Sequence, residues 1–288
     1  MDMIVETDIG RDPDDFFTLC YLIAAGVNIR GITITPGDKD QVEVARLICD
    51  VAQINIPIGV KDLSRDKESS GGVHYKLLDL YGRPRQSEPD CLGKDVFHEV
   101  IKEFPDVELL SIGPVSNVMA FLRESDHQFK KATMQGGFLP YSLGDPFVRL
   151  DKFEGKSHVQ TFNLAGDVVA GMEYASTDQI DERRFVGKNV CHTVLYDMDI
   201  HNRIKPVDDI TNLFYSGMSI YLSKHKSKKF HDPTAAACHL HPEIGKWVRG
   251  NLWRDRRKGW TTIPDADGDF VLADIDYEKF WDYMVNFK

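Results

Sequence analysis

The sequence predicts an α/β protein with an open, mostly parallel sheet flanked by helices, and two observations indicate this fold class. Short apolar segments alternate with longer amphipathic segments through about the first two thirds of the 288 residues, which is the pattern of strands and crossover helices. The longer segments carry apolar residues at helical spacing. A chain of this length buries a substantial core, so the protein is expected to fold alone.

The predicted elements follow one another in a regular order. Strands are expected at 3–7, 29–35, 55–60, 107–112, 130–136 and 158–162, and helices at 14–26, 40–53, 94–104, 115–125, 166–175 and 209–226. No linker rich in Gly, Ser or Pro interrupts the chain, so one domain is expected over residues 1–288. Ligands of such folds bind beyond the C-terminal ends of the strands, so the residues after each strand are the candidates for chemistry.

The composition restricts the partners of the protein. With 45 acidic and 35 basic residues, the net charge of −10 argues against sequence-independent binding to nucleic acid or anionic membranes, and it favours a small-molecule partner. The five cysteines are scattered without a C-x-x-C pair, which is typical of reduced thiols. The N-terminus lacks the positive charge of a signal peptide and no apolar run is long enough to cross a bilayer, so a cytoplasmic protein is expected.

Four aspartates crowd the segment after the first predicted strand: Asp8, Asp12, Asp14 and Asp15. Asp12 before Pro13 predicts a helix N-cap, which places Asp14 and Asp15 in the first turn. A helix N-terminus favours negative charge, and this accounts for Asp12. Asp8 and the two further acids repel one another unless a proton or a cation compensates them. The turn by itself indicates either helix capping or a site for a hard cation such as Ca²⁺.

This turn resembles the opening motif of the inosine-uridine nucleoside hydrolases, calcium-dependent N-ribohydrolases with an open α/β fold. The family motif D-x-D-x-G-x-D-D corresponds to ETDIGRDPDD here, with two extra residues in the turn. The resemblance implies that Asp8 and Asp15 bind Ca²⁺, that Asp8 also orients the attacking water, and that Asp14 binds ribose hydroxyls. Asp12 belongs to the insertion, and its role is open.

Further segments match the family in order along nearly the whole chain. SIGPVSNVMAFL resembles the T-G-P-L-T-N segment, which implies that the carbonyl of Ile112 is a metal ligand. TMQGGF and TFNLAGDVVAG resemble the M-G-G and E-F-N-x-x-x-D-P-x-A-A segments, which implies that Met134 and Asn163 lie near the sugar. FHDPTAAA resembles the H-D-P segment, which implies that Asp232 is a further carboxylate ligand and that His231 lies beside the leaving base.

Each of these segments also has an ordinary structural interpretation, which for SIGPVSNVMAFL is a strand, a turn and a helix with Ser116 or Asn117 near its start. Met134 is typical of a core, Asn163 of a turn, and a His-Asp pair before proline of a helix cap. GGVHY resembles the family's H-G loop, which implies a second histidine near the base at His74, and the alternative there is a solvent-exposed histidine.

Two departures from the family pattern bear on the substrate. Thr161 stands where the family has the glutamate that contacts the 5′ hydroxyl, and Asp38 stands where it has an asparagine that is implied to contact substrate. Loss of an acid removes repulsion toward a 5′-phosphate, and Lys152, Lys156 and His158 lie just upstream. A nucleoside 5′-phosphate or another 5′-modified nucleoside is one expectation, and an ordinary solvated loop is the alternative.

Three tryptophans, Trp247, Trp253 and Trp260, lie in the C-terminal stretch where the family often has base-stacking side chains. Core packing is the alternative for each of them. The resemblance also implies a homo-oligomer, a dimer or a tetramer.

The function implied by the resemblance is hydrolysis of the N-glycosidic bond of a ribonucleoside to free base and ribose. Such a reaction needs a held ribose, a water delivered from one face and a neutralised leaving base. Asp8 would take the proton of a Ca²⁺-bound water, Asp14 and Asn163 would hold the hydroxyls, and His231 would protonate the base. Two alternatives are a catalytically silent relative that binds a nucleoside or calcium, and a phosphohydrolase with Asp8 as nucleophile; Gly10 in place of a second acid argues against the latter.

Overall fold

One mostly parallel sheet of ten strands runs through the part of the chain described by the computed structural model, residues 1–64 and 67–288. The strands of the described residues are β1 (Asp2–Thr7), β2 (Asn28–Ile34), β3 (Ile58–Val60), β4 (Cys91–Leu92), β5 (Glu108–Ser111), β6 (Phe129–Gln135), β7 (Ile180–Val186), β8 (Leu195–Asp197), β9 (Ser227–Lys229), β10 (Gly245–Asp255), β11 (Gly259–Pro264) and β12 (Asp269–Ile275). Strands β8 and β9 form a separate two-stranded ribbon, and the others form the sheet. The order across the sheet is β11-β10-β12-β7-β6-β5-β1-β2-β3-β4. The predicted α/β fold class is confirmed.

Helices pack on both faces of this sheet. They are α1 (Asp14–Ala24), α2 (Lys39–Ala52), α3 (Lys76–Tyr81), α4 (Gly93–Glu103), α5 (Ser116–Leu122), α6 (Phe162–Gly166), α7 (Val168–Tyr174), α8 (Lys188–Cys191), α9 (Met198–His201), α10 (Asp209–Leu222), α11 (Asp232–Leu240) and α12 (Tyr277–Asn286). Short 3₁₀ turns lie at Val73–Tyr75, Asp151–Phe153 and Pro242–Ile244. Among the described residues, no helix is long and apolar enough to span a membrane.

The central strand β1 separates two hydrophobic clusters of the core, one on each face of the sheet. It pairs in parallel with β2 on one side and with β5 on the other, and its residues from Met3 onward are buried. Successive side chains of a strand point to opposite faces of a sheet. Met3 and Val5 accordingly join one hydrophobic cluster, and Ile4 joins the other. A strand buried on both faces needs a nearly continuous apolar run, which is what the sequence has here.

One predicted strand is wrong and several strands were missed. The segment 158–162 makes only an isolated bridge between Val159 and Trp260, and α6 begins at Phe162. Strand β7 was missed because two arginines interrupt its apolar pattern. Arg183 is nevertheless buried, 3.0 Å from Asp269 of β12, so a long-range ion pair compensates its charge. The Trp-rich stretch forms the antiparallel strands β10–β12 at one edge of the sheet.

The C-terminal ends of β1 and β5 lie against each other, and a glycine allows this close approach. A Cβ atom at Gly113, just after β5, would lie 2.5 Å from the backbone nitrogen of Asp8, just after β1. Any larger residue at this position would push the two turns apart. The turn that carries the aspartates is therefore held directly against the end of β5.

Candidate functional site

Three buried aspartates from two helices meet at the C-terminal edge of the sheet. Asp14 and Asp15 lie in the first turn of α1, as the sequence predicted, and Asp232 begins α11. Their side-chain oxygens lie within 4.8 Å of one another, and the three residues are 2–5% exposed. With Asp8, which lies after β1 and interacts electrostatically with all three, they are called here the carboxylate cluster.

The end of β1 fixes the position of Asp15. Thr7, the last residue of the strand, donates a 2.5 Å hydrogen bond through Oγ1 to Asp15 Oδ1 and accepts a 3.0 Å bond from the backbone N–H of Ile9. Both Thr7 and Asp15 are buried. Thr7 is a site residue that none of the sequence motifs identifies, although a hydroxyl between a buried strand and an acidic turn is a usable signal for such an anchor.

The predicted N-cap role of Asp12 is wrong. Pro13 occupies the N-cap position of α1, and no side chain caps that helix. Asp12 is instead largely exposed, with Oδ1 2.9 Å from Nζ of the buried Lys228. The same ammonium lies 3.1 Å from Asp14 Oδ2. The two-residue insertion in the turn therefore supplies a partner for a buried lysine, which sequence reasoning missed because Lys228 is distant in the chain.

The protonation of the carboxylate cluster follows from burial and from repulsion between its members. Burial, then the charges of Asp14 and Asp12, raises the pKa of Asp8 to about 7. Burial and neighbouring carboxylates hold the pKa values of Asp15 and Asp232 well above the usual range. Burial also opposes the charge of Asp14, but Lys228 and His231 outweigh it and lower the pKa of that carboxyl. Asp14 is thus the ionised member, and the others need a proton or a cation.

His231 joins this cluster at the edge that remains open. Its backbone N–H donates to Asp14 Oδ2 at 3.2 Å, and its Nδ1 lies 3.4 Å from the same oxygen. The other ring nitrogen, Nε2, is buried and has no hydrogen-bond partner among the residues described. His231 occupies the N-cap position of α11, as the helix-cap alternative predicted, but its side chain makes no capping hydrogen bond there.

His74 is fully buried, so the solvent-exposed alternative is wrong. Its ring centroid lies 5.5 Å from that of Phe16 and 4.7 Å from that of Tyr75. Burial lowers the pKa of His74 to about 3, so the ring is neutral. Neither ring nitrogen has a hydrogen-bond partner within residues 1–64 and 67–288, and two unpaired buried nitrogens are costly without a ligand or water.

Asn163 links the ends of β5 and β6 to α6. Its Nδ2 lies 2.9 Å from the carbonyl oxygen of Ile112, and 3.0 Å from both the backbone oxygen and Oε1 of Gln135. Asn163 is thus part of a helix rather than of a turn. Sequence reasoning missed Gln135, whose neighbour Met134 packs fully buried in a hydrophobic cluster.

Three other candidates, Asp38, Trp260 and Thr161, occupy defined positions in the fold. Asp38 caps α2, and its two oxygens accept the backbone N–H groups of Gln41 and Ser70, so contact with substrate stays a prediction. Trp260 is buried in a core cluster. Thr161 is the N-cap residue of α6, and its buried Oγ1 has no partner in the described structure.

Several solved structures resemble this chain in fold. A solved plant nucleoside hydrolase has a TM-score of 0.77, and it matches at 16% identity over 99% of this chain and 98% of its own. An inosine-uridine preferring nucleoside hydrolase from Bacillus anthracis matches at 0.74 and 16%, with the same coverage. A purine-preferring ribonucleoside hydrolase from Gardnerella vaginalis matches at 0.68 and 16%, over 100% of this chain and 98% of its own.

No curated protein sequence matches the chain at a significant level. The model of one protein family does, and its description is inosine-uridine preferring nucleoside hydrolase. The match extends over residues 3–282, which is nearly the whole chain. The chain therefore belongs to the inosine-uridine preferring nucleoside hydrolase family.

Proposed function

We propose that this protein hydrolyses the N-glycosidic bond of a ribonucleoside, with a free or modified 5′ position, to free base and ribose, and that it depends on Ca²⁺. The observation that carries the proposal is the meeting of Asp14, Asp15 and Asp232 within 4.8 Å, with His231 beside them. Helix capping alone gives no reason for acids of two different helices to meet.

The carboxylate cluster has the chemistry that a divalent ion requires. Asp8, Asp15 and Asp232 would hold it, with the carbonyl oxygen of Ile112, because Ca²⁺ prefers oxygen ligands. Burial, and then repulsion from neighbouring carboxylates, raises the pKa values of these three carboxyls, and a bound cation would offset both effects. The Ile112 carbonyl accepts one hydrogen bond from Asn163, which leaves it a second lone pair. When bound, such an ion supplies positive charge that favours ionisation of water at neutral pH.

The residues around the carboxylate cluster accept the proton of water and hold the ribose. Asp8, which is partly open to solvent, takes the proton of the attacking water. Asp14 stays ionised between Lys228 and His231, so it accepts hydrogen bonds from ribose hydroxyls. Asn163 lies beside Ile112 and helps to hold the sugar. A sugar fixed at this point meets the water in a defined orientation, which lowers the entropic part of the barrier.

His231 is the group placed to protonate the leaving base. Its Nδ1 faces Asp14 at 3.4 Å, and its Nε2 has no partner within the described chain. An imidazole is a common proton donor in catalysis, so His231 can donate a proton to a departing ring nitrogen. The neutral, buried His74 contacts Phe16 and Tyr75 and is a second candidate beside the base.

The test is a panel of purine and pyrimidine ribonucleosides incubated with the purified protein, with release of free ribose as the readout. Each substrate is measured in CaCl₂ and after removal of metal by a chelator. Ribose release that is lost with chelator and restored by Ca²⁺ is the expected result. Turnover that survives chelation would refute the metal dependence. Binding of nucleosides without ribose release would favour a catalytically silent relative.

Calcium is expected to raise the melting temperature more at about pH 8 than at about pH 6. Carboxyls in the unfolded chain titrate near about 3.9, whereas burial and neighbouring acids raise the pKa of Asp8 to about 7 and hold the pKa values of Asp15 and Asp232 well above their usual range. Raised carboxyl pKa values stabilise the metal-free fold at low pH, and this stability is lost as pH rises through them. A bound cation compensates the ionised carboxylates, so its effect grows with pH.

The measurement is the difference in Tm between CaCl₂ and metal-free buffer across that pH range. Taking the difference cancels the groups that titrate elsewhere in the molecule. A difference that shrinks as pH rises would contradict the prediction.

A further inference from the structure

Next to the carboxylate cluster lies a group of opposite charge, formed by Lys152, Lys188, Lys229 and His192 and called here the lysine cluster. Lys152 Nζ contacts His192 Nδ1, and the Lys152 side chain also meets that of Lys229. Lys188 Nζ donates a 3.1 Å hydrogen bond to the backbone oxygen of Gln160. These residues come from the 3₁₀ turn Asp151–Phe153, from α8 and its C-cap residue His192, and from the end of β9.

The lysine cluster touches the proposed site through two histidine rings. The ring centroids of His192 and His231 are 5.0 Å apart, and His231 Nδ1 is 3.4 Å from Asp14 Oδ2. One continuous set of contacts therefore runs from the ribose-binding carboxylate to the lysines. Lys188 adjoins the proposed site by a second route. Its hydrogen-bond acceptor, Gln160, directly precedes Thr161, the N-cap residue of α6, and α6 carries Asn163.

Within residues 1–64 and 67–288, the lysines of this cluster form no ion pair with a carboxylate. Lys228 pairs with Asp12 and Asp14, but among the described residues no carboxylate pairs with Lys152, Lys188 or Lys229. The three lysines instead face one another in a chain that has ten more acidic than basic residues.

Burial, and then repulsion between neighbouring cations, lowers pKa values in this cluster. Burial, then His231 and Lys152, lowers the pKa of His192 to about 2. Burial and neighbouring lysines also lower the pKa values of Lys152 and Lys188. Held together without an anion, these groups destabilise one another, and a bound anion would reverse that effect.

We infer that the lysine cluster binds a phosphate on the 5′ carbon of the substrate, so that the preferred substrate is a nucleoside 5′-monophosphate. This inference rests on the proposed function, because it assumes that the ribose diol binds at Asp14. Ammonium groups bind phosphate as point charges and form charge-assisted hydrogen bonds with its oxygens. Of the basic residues noted in the sequence, His158 lies outside the cluster, beside Trp253 at 5.9 Å between ring centroids.

The first experiment compares kcat/KM for inosine and uridine with that for their 5′-monophosphates, in CaCl₂. The monophosphates are expected to be better substrates by about 10-fold or more. Orotidine, which carries its anionic group on the base, tests the alternative source of negative charge. Equal or weaker turnover of the monophosphates, or a preference for orotidine alone, would overturn the inference and leave the proposed function intact.

The second experiment uses the variants Lys152→Gln, Lys188→Gln and Lys229→Gln, with Lys102→Gln on the exposed face of α4 as the control. Each cluster variant is expected to lose about 10- to 100-fold in kcat/KM for the monophosphates, with little change for the nucleosides. Equal losses for both substrate classes would overturn the assignment, because a general disturbance of the site does not distinguish them.

A binding measurement separates this inference from the proposed function. Calorimetric titration compares ribose 5-phosphate with ribose, and tighter binding of the phosphate that is lost in the cluster variants is expected. That result would support the anion site even if no substrate were hydrolysed, in which case the proposed function alone would fail. Equal affinity for the two sugars would overturn the inference.

Discussion

Replacing Asp15 with asparagine is expected to lower kcat for nucleoside hydrolysis by about 10³-fold or more, because it removes a carboxylate of the proposed ion site. Asparagine has the same shape, and its side-chain oxygen can still accept the 2.5 Å hydrogen bond from Thr7 Oγ1. The variant is therefore expected to fold. It loses one negative charge among three carboxylates that lie within 4.8 Å of one another.

The same substitution is expected to change thermal stability in opposite directions with and without calcium. In metal-free buffer the variant should melt above the wild type, because burial and repulsion from Asp8 and Asp14 oppose a charge at Asp15. In CaCl₂ the wild type should gain more stability, because it binds the ion more tightly. A purely structural role for Asp15 would instead lower Tm under both conditions.

Steady-state kinetics at saturating nucleoside, calorimetric titration with CaCl₂ and thermal melts test these expectations. Asp50→Asn, at an exposed position near the end of α2, is the matched control because it removes the same charge away from the site. A variant that keeps kcat within about 10-fold of the wild type and binds calcium normally would remove Asp15 from the ion site.

Local signals in the sequence predicted the start of the site well. The placement of Asp14 and Asp15 in the first turn of α1 is confirmed, since an apolar strand, a proline and an amphipathic helix lie next to one another in the chain. The same local reasoning gave Asp12 the wrong role. Its partner Lys228 comes from β9, and no nearby residue signals that pairing.

Ion pairs and contacts between residues that are distant in the chain account for most of what sequence patterns missed. Strand β7 contains buried arginines, one paired with Asp269, which alternation of polar and apolar residues cannot anticipate. The burial of His74 beside Phe16 likewise depends on the packing of the 3₁₀ turn Val73–Tyr75 against α1. Lys152, Lys188 and Lys229 belong to different elements, so only the folded structure shows that they lie close together. Patterns along a chain predict elements and their ends, whereas charge clusters depend on topology.

Replacing His231 with alanine is expected to slow the hydrolysis of inosine by about 10²-fold or more, because the departing base loses its proton donor. Hydrolysis of p-nitrophenyl riboside is expected to change by less than about 10-fold, since nitrophenolate is a stable anion that leaves without a proton. The comparison isolates the step at the leaving group. Any damage to ribose binding or to delivery of water would slow both substrates alike.

The contact between His231 and Asp14 makes a second variant necessary. Alanine keeps the 3.2 Å hydrogen bond from the backbone N–H to Asp14 Oδ2 but loses the side-chain contact at 3.4 Å. His231→Asn restores a polar side chain near Asp14 that cannot deliver a proton, so it should match alanine on inosine. His225→Ala, at an exposed histidine, is the control. If asparagine recovers inosine turnover, or if both substrates slow equally, His231 positions Asp14 and does not protonate the base.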